Sequence, residues 1–285
     1  MAKILLAGEG WGATAAFNSL KQTKDHELFI LTGDEAWKSR LSGEGFKLAS
    51  SFDEGFDLAV TAGWRPLIKG NILETLRILN IHYSLLPAYR GFHTTVWAML
   101  NNEPMLGFTI HRINQFVDDG PIVYQYKEPN NFMDSASDYM TRFNNKTEEV
   151  LLGVVNDYLD GNIPEIAQDR SKASWVGRRK LSHCSINFNK SLEYQKTFFR
   201  ALTNPYPLPY FTLKEEVFEV QDAGFHSSPV VTDRGRILNI DTEGVWISCE
   251  GGYIICKKIA FRADHKEVPY SYFKIGQMLT GGVKL

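Results

Sequence analysis

The chain has 285 residues, of which 44% are hydrophobic and 13% aromatic, and its formal net charge is −2. This length exceeds what one hydrophobic core usually organises, so we expect about two domains. The small net charge excludes the strongly basic surface with which proteins bind nucleic acid or an anionic membrane. We therefore expect a soluble globular protein with neither of these partners.

The three cysteines are Cys184, Cys249 and Cys256, and they contain no Cys-x-x-Cys pair. An odd number of cysteines leaves one thiol unpaired whatever the pairing, which favours a reducing cytoplasm. The apolar run at Ile4–Ala7 is too short for a signal peptide. No stretch approaches the roughly 20 apolar residues that a membrane-spanning helix requires.

Short apolar runs alternate with helical segments in the first half of the chain. Such runs, separated by helices, are typical of a mainly parallel sheet that is covered on both faces, which is an α/β fold. The predicted strands are Lys3–Ala7, Glu27–Thr32, Leu58–Ala62, Ile78–Tyr83 and Gly107–Ile113, and the predicted helices are Thr14–Leu20 and Ile72–Leu76.

A long amphipathic helix is predicted from the cap signal at Ser135–Asp138 to the stop at Gly161–Asn162. The stretch 164–185 is polar and aperiodic, and a helix at Ser191–Leu202 follows it. The strands predicted after this helix indicate a small β-rich C-terminal domain, and Glu250–Gly252 is a hairpin turn signal between the last two. We predict a catalytic domain at 1–165, a linker at 166–188 and the β-rich domain at 189–285. Those strands are Tyr210–Leu213, Val217–Val220, Ile237–Ile240, Val245–Cys249 and Tyr253–Ile259.

The glycines after the first strand form one candidate site. The segment Gly8–Ala13 fits Gly-x-Gly-x-x-Ala, and Asp34 stands where a dinucleotide-binding fold keeps its ribose-binding acid. Taken alone, this pattern supports a nicotinamide-dependent oxidoreductase. A plain strand-to-helix turn, or a loop that holds another phosphate-bearing ligand, selects the same glycines.

Asn80 and His82 form the second candidate site. They lie two residues apart, so on a strand both side chains point to one face, and Ser84–Pro87 ends that strand beside them. A hydrogen-bond donor and an imidazole at a strand end, with Asp118 as the buried acid, suit acyl transfer. The alternative is a core Asn and His satisfied by backbone groups, with a carboxylate in a turn.

From Asn80 onward the chain resembles the formyltransferases that use N10-formyltetrahydrofolate. In that family Asn-x-His-x-Ser-Leu-Leu-Pro precedes a Gly, a Trp, a Gly-x-Thr and an Asp-x-Gly in this order. The chain supplies these as Asn80–Pro87, Gly91, Trp97, Gly107–Thr109 and Asp118–Gly120. Gln168, Lys172–Ala173 and Arg200–Pro207 are similar to the linker and second-domain entry of the two-domain members. These members include methionyl-tRNA formyltransferases and enzymes that formylate amino sugars on nucleotide carriers.

The resemblance implies a Rossmann-like catalytic domain, a small β-rich C-terminal domain and roles for particular residues. The alternative interpretation is that Trp64 is a core residue, that Trp11, Tyr89 and Arg90 are exposed loop residues, and that His111 is structural. No metal is required, and N10-formyltetrahydrofolate is the expected co-substrate. The implied catalytic residues are Asn80, His82 and Asp118, the implied folate-binding residues Trp64, Arg65, Pro66, Leu67 and Asp119, and the implied acceptor-binding residues Gly10, Trp11, Tyr89, Arg90 and His111.

The acceptor expected from the resemblance is a nucleotide-linked amino sugar. After Arg90-Gly91 a tRNA formyltransferase would be expected to carry small residues and Pro, whereas this chain has Phe92–Thr95. We expect dTDP-4-amino-4,6-dideoxyglucose or a 3-amino isomer, formylated for a surface polysaccharide such as the O-antigen of lipopolysaccharide, by a homodimer. The alternatives are a methionyl-tRNA formyltransferase, an oxidoreductase, and a folate-binding module without turnover.

Overall fold

A computed structural model of the chain describes residues 1–68, 70–229 and 233–281. These residues form two compact units, one comprising 1–98, 104–130 and 138–178, the other 99–103, 131–137 and 179–285. The predicted domain boundaries at 165 and 188 stay a prediction. Residues up to 178 belong to the first unit because short backbone pairings, rather than a periodic pattern, hold the polar segment there.

The helices and strands alternate through the first half of the chain. The strands of the first unit are β1 (Lys3–Gly8), β2 (Glu27–Leu31), β3 (Lys47–Leu48), β4 (Leu58–Ala62), β5 (Ile78–His82), β6 (Arg90–Gly91), β7 (Met105–Arg112), β8 (Ile122–Pro129) and β9 (Trp175–Val176). The helices before residue 160 are α1 (Gly10–Leu20), α2 (Glu35–Gly43), α3 (Gly70–Thr75), α4 (Thr94–Leu100) and α5 (Ala136–Leu159).

The main sheet of the first unit has seven strands in the order β3-β2-β1-β4-β5-β7-β8. The strands from β3 to β5 are parallel, while β7 and β8 are antiparallel to their neighbours. The predicted α/β fold with a mainly parallel sheet is therefore confirmed. Because the strand order reverses beside β1, the carboxyl ends of β1, β4 and β5 form the edge where such folds bind ligands.

The two faces of this sheet differ in what they bury. Asn80 lies opposite His111 and His82 opposite Thr109, so these four side chains share one face. Phe108 points to the other face, where its ring lies 6.3 Å from that of Phe143 in α5. Both of these rings are fully buried, which stabilises the fold by roughly 1.5–3 kcal/mol each.

The second unit contains a five-stranded antiparallel sheet in the order β10-β11-β14-β13-β12, which confirms the predicted β-rich C-terminal fold. Helix α6 (Leu192–Ala201) precedes it and is capped by Ser191, whose hydroxyl accepts a hydrogen bond from the Tyr194 amide. The strands are β10 (Tyr210–Leu213), β11 (Glu216–Ser227), β12 (Ile237–Ile240), β13 (Val245–Cys249) and β14 (Gly252–Phe261).

Candidate active site

The carboxyl end of β5 gathers the residues predicted to be catalytic. His82 is buried, and its Nδ1 lies 3.6 Å from Oδ2 of Asp118. His111 reaches the same carboxylate from β7, with Nε2 3.5 Å from Oδ1. The Nδ2 of Asn80 lies 3.2 Å from Nε2 of His111. The structure therefore brings the three predicted catalytic residues together around His111.

The contacts of His82 fix which nitrogen carries its proton. Its Nε2 lies 2.9 Å from the carbonyl oxygen of Tyr89, which can only accept, so Nε2 bears the hydrogen. Burial lowers the pKa of His82 below its ordinary value, while the Asp118 carboxylate acts in the opposite direction. The imidazole is thus neutral near pH 7, and the lone pair on Nδ1 faces Asp118.

Hydrogen bonds with His111 and Thr61 orient the amide of Asn80. Nδ1 of His111 lies 3.1 Å from the carbonyl oxygen of Arg112 and must donate to it, so in this tautomer Nε2 is the nitrogen that accepts from Asn80. On the other side, Thr61 donates to Oδ1 of Asn80 at 2.9 Å. One hydrogen of Asn80 Nδ2 is then directed to His111, and the other can reach an oxygen placed at the strand end.

Asp118 is held as a carboxylate. Its Oδ2 accepts a hydrogen bond of 2.8 Å from the Gly91 amide, and its backbone has a φ of 50°. Burial would raise the pKa of Asp118, but hydrogen bonding with His111, the positive charge that His82 and His111 carry when protonated at low pH, and the Gly91 amide together lower it to about 2. The side chain is therefore ionised over the whole range in which an amine is formylated.

Arg90 and Asp119 pair with each other instead of facing solvent. Nη1 of Arg90, a residue that is 3% exposed, lies 2.7 Å from Oδ1 of Asp119. Arg90 also donates to Gln168 and lies against the ring of Trp175, while Arg170 holds the second oxygen of Asp119 at 2.6 Å. A diphosphate or a folate would have to displace one of these partners, so the binding roles for Arg90 and Asp119 stay predictions.

The loop after β4 begins with a half-buried indole and continues with exposed side chains. Trp64 is half-buried and packs edge-on against Phe52, with the ring centroids 5.3 Å apart, so its indole belongs to the core. Arg65 and Pro66 are exposed, and Leu67 is 90% exposed. An apolar side chain displayed beside a sheet edge is the kind of group that contacts a planar ligand.

The glycine loop after β1 is fixed by close packing. A Cβ on Gly8 would lie 1.9 Å from the carbonyl oxygen of Ala62, and one on Gly12 would lie 2.5 Å from the hydroxyl of Tyr83. Asp34 is the N-cap of α2, because its carboxylate accepts from the Trp37 amide at 3.0 Å. Helix capping and strand-to-helix packing thus account for the pattern that resembles a dinucleotide fingerprint.

The remaining predicted acceptor-binding residues divide between a pocket and the core. Tyr89 is buried, with its carbonyl committed to His82. Trp11 is 48% exposed and lines a shallow pocket of about 320 Å³ between α1 and α5, next to Gly10. The lining residues are Trp11, Thr14, Ala15, Asn18, Thr141, Asn144, Asn145 and Glu148.

Three residues that support the site were missed in the sequence. Thr61 is the one hydroxyl in the apolar strand Leu58–Ala62 and lies directly opposite Asn80. Gln125 donates to Thr109 at 2.9 Å and to the carbonyl of Leu86. Gln168 belongs to a segment without any periodic pattern. A polar residue in an otherwise apolar strand was the available signal for Thr61, whereas Gln168 was noted only for its similarity to the family linker and not for a role at this site.

Two further observations concern ions and membranes. Across residues 1–68, 70–229 and 233–281, no group of three or more His, Cys, Asp or Glu side chains is placed to hold a metal ion. Within the same ranges, every helix is too short or too polar to cross a bilayer.

Comparison with known proteins identifies the family. The sequence profile described as Formyl transferase matches residues 19–155, and the profile of the formyl transferase C-terminal domain matches residues 180–276. A methionyl-tRNA formyltransferase from Thermosipho melanesiensis is 26% identical over 227 residues, which is 80% of this chain and 73% of that protein.

Two solved structures share the fold. WlaRD, a sugar 3N-formyl transferase crystallised in the presence of dTDP and 5-N-formyl-THF, has a TM-score of 0.70 at 21% identity, over 90% of this chain and 97% of that one. The N-formyltransferase from Helicobacter canadensis, in complex with folinic acid and dTDP-3-aminofucose, has a TM-score of 0.68 at 20% identity, over 90% and 99%. The two profile matches, over residues 19–155 and 180–276, show that the chain belongs to the formyl transferase family and is a formyltransferase.

Proposed function

We propose that the protein transfers the formyl group of N10-formyltetrahydrofolate to the amine of a nucleotide-linked amino sugar, through Asn80, His82 and Asp118. The observation that carries the chemistry is the pair of acceptors at the strand end. The lone pair of His82 Nδ1 and the carboxylate of Asp118 face each other at 3.6 Å, which suits a nitrogen that donates to both. An attacking amine is such a group.

The proposed reaction begins when the neutral amine attacks the formyl carbon. The electrons of the carbonyl double bond move to its oxygen, and the free N–H of Asn80 donates to that oxygen as it becomes negative. The new ammonium passes a proton to His82 Nδ1 or to Asp118, and the proton is delivered to N10. The bond between the carbon and N10 then breaks, which gives tetrahydrofolate and the formamide.

The proposed folate site is the loop Trp64–Leu67. It follows β4, the strand next to β5, so its backbone ends beside Asn80 and His82. The crystal structures of WlaRD and of the Helicobacter canadensis enzyme, which share this fold, were determined with folate derivatives. A folate co-substrate, and not a nicotinamide, is therefore the ligand that titration calorimetry should detect.

The proposed acceptor site is the pocket beside Gly10 and Trp11. Its lining contains an exposed indole, which can stack on a base, and amides and hydroxyls that can bond the oxygens of a nucleoside. Trp11→Ala and Asn145→Ala should each raise the KM for the acceptor about 10-fold and leave the KM for the folate unchanged. Equal changes in both KM values would contradict this placement.

The sugar nucleotide is favoured by the small net charge of −2 and by Phe92–Thr95 after the Arg90-Gly91 pair. Our first choice is dTDP-4-amino-4,6-dideoxyglucose, with a 3-amino isomer next, for a surface polysaccharide such as O-antigen. The cytoplasmic location and the homodimer remain parts of this proposal.

Methionyl-tRNA is the second candidate acceptor, because a curated methionyl-tRNA formyltransferase aligns over 80% of the chain. A panel of dTDP-, UDP- and GDP-linked amino sugars and methionyl-tRNA, each incubated with N10-formyltetrahydrofolate and analysed by mass spectrometry, separates the two. We expect one formyl group on a dTDP-amino sugar. Efficient formylation of methionyl-tRNA, with every amino sugar inert, would overturn the acceptor and keep the chemistry.

A further inference from the structure

The side chain of Gln168 connects parts of the first unit that are far apart in sequence. Its Nε2 donates to the carbonyl oxygens of Asp118 at 2.8 Å and Gly120 at 2.7 Å, across sequence separations of 50 and 48 residues. Its Oε1 accepts from Nη2 of Arg90 at 2.6 Å and from Nε at 3.2 Å, across 78 residues. A single amide thus uses both hydrogens and its oxygen.

These bonds fix the backbone on both sides of Asp119. Asp118 has a φ of 50°, a left-handed conformation that needs support from its surroundings. Gly120 lies so close to the chain that a Cβ there would come within 1.7 Å of the carbonyl oxygen of Arg112. With its backbone held in this way, the Asp118 carboxylate faces His82, His111 and the Gly91 amide.

Arg90 completes the arrangement. Its buried guanidinium spans Gln168 and Asp119, so the two carbonyls that Gln168 holds are tied to the segment that carries Gly91. Asp119 is in turn neutralised from outside by Arg170, which is 70% exposed. A charged group buried with such complete pairing is costly to move, which makes the frame around Asp118 rigid.

We propose that Gln168 is a positioning residue for formyl transfer, which acts by holding the Asp118 carboxylate at its distance from His82. This inference rests on the proposed function, because it requires Asp118 to take part in proton transfer. The amide of Gln168 is fully engaged with protein groups, so we expect its loss to slow the reaction without weakening substrate binding. Misplacing a reacting group by about 1 Å costs on the order of 10²-fold in rate.

The test uses Gln168→Met, which keeps the length of the side chain and removes every hydrogen bond. We expect kcat to fall about 10- to 100-fold, while both KM values change less than about 3-fold. Gln168→Glu provides a second variant, since its carboxylate still accepts from Arg90 but cannot donate to the two carbonyls. It should lose a similar factor in kcat even where the Met variant folds poorly.

A double-mutant cycle with Asp118→Asn separates positioning from a general structural role. If Gln168 acts through Asp118, adding Gln168→Met to the Asp118→Asn background lowers kcat by less than about 2-fold further. The inference is overturned if the kcat loss of the double variant equals the product of the losses of the two single variants. It is also overturned if Gln168→Met has the wild-type kcat. Lys172→Ala is the matched control, because its ion pair with Asp169 on the same segment is exposed, and its kcat should not change.

The activity of the wild-type protein distinguishes failure of the proposed function from failure of the positioning role alone. If it transfers no formyl group to any acceptor of the panel, the proposed function fails, and the positioning role, which requires it, fails with it. If the wild type and Lys172→Ala are active and Gln168→Met equals them, formyl transfer stands and the positioning role is wrong.

Discussion

The ends of β1 and β5 lie at the same edge of one sheet, yet they are built in opposite ways. At the end of β1, Gly8 and Gly12 have no side chains, and the space next to them is filled by the Ala62 carbonyl and the Tyr83 hydroxyl. At the end of β5, Asn80 and His82 carry polar side chains whose partners are set by neighbouring carbonyls and hydroxyls.

The difference between the two strand ends separates residues that the packing of the fold requires from residues that suit a chemical role. A glycine that is required by close packing is needed for the fold whatever ligand the protein binds, so such a motif alone says little about function. A buried imidazole with one nitrogen bonded and the other facing a carboxylate has no comparable packing purpose. We therefore expect substitutions at Asn80 and His82 to act on rate and those at Gly8 and Gly12 to act on stability.

The largest effect is expected at the end of β5. Asn80→Ala, His82→Ala and Asp118→Asn should each lower kcat at least about 10²-fold, because each removes a group that stabilises or deprotonates the tetrahedral intermediate. Steady-state kinetics measures the loss, and circular dichroism checks that the fold persists. A variant that keeps a near wild-type rate removes its residue from the mechanism.

At the end of β1 the expected loss is in stability. Gly8→Ala places a Cβ 1.9 Å from a backbone oxygen, so the strands must separate, at a cost of about 3 kcal/mol of unfolding free energy. Gly10→Ala is the matched control, since its Cβ meets open space and only its φ of 72° is strained, at about 1 kcal/mol. Urea titration gives both values, and comparable losses for the two variants would refute the packing explanation.

An intermediate effect on rate is expected at His111, whose Nε2 lies 3.2 Å from the Asn80 amide and 3.5 Å from the Asp118 carboxylate. His111→Phe cannot accept from the Asn80 amide and should lower kcat about 10-fold. His111→Gln offers an oxygen to the same amide and should retain more of the rate. If the two variants are equally active, the orientation of the Asn80 amide does not depend on its hydrogen bond to His111, and that part of the proposed site is wrong.

Much of the fold was readable in the sequence, because strands such as Leu58–Ala62 and Val245–Cys249 are apolar runs between clear breakers. Strand β8 was missed, although Tyr124 and Tyr126 alternate with the polar Gln125 and Lys127 as strand periodicity requires. The proposed catalytic residues Asn80, His82 and Asp118 were predicted from their spacing and the family resemblance, and the structure brings their side chains together. The partners of Arg90 were not predicted, since a distant Gln168 and an adjacent Asp119 leave no periodic trace.

The smallest expected effect is a displacement of the pH profile without loss of maximal rate. Because the pKa of Asp118 is about 2 and burial lowers the pKa of His82, both are already deprotonated near pH 7. Falling pH would impair the reaction through either group only at more acidic values. The amine of the acceptor is different, since an aliphatic amine of this kind has a pKa of about 8 and attacks only when neutral.

We therefore expect kcat/KM to rise about tenfold per pH unit up to a pH near the pKa of the acceptor amine, and to level off above it. For two acceptors whose amines differ in pKa, the midpoints of the two kcat/KM profiles should differ by that same number of pH units. The plateau values of kcat/KM at high pH should be comparable. The measurement is an initial-rate profile in buffers of constant ionic strength. If the rising part of the kcat/KM profile lies at the same pH for both acceptors, then a group of the enzyme, and not the amine, titrates there. In that case the end of β5 does not hold His82 neutral, contrary to what its contacts with Tyr89 and Asp118 indicate.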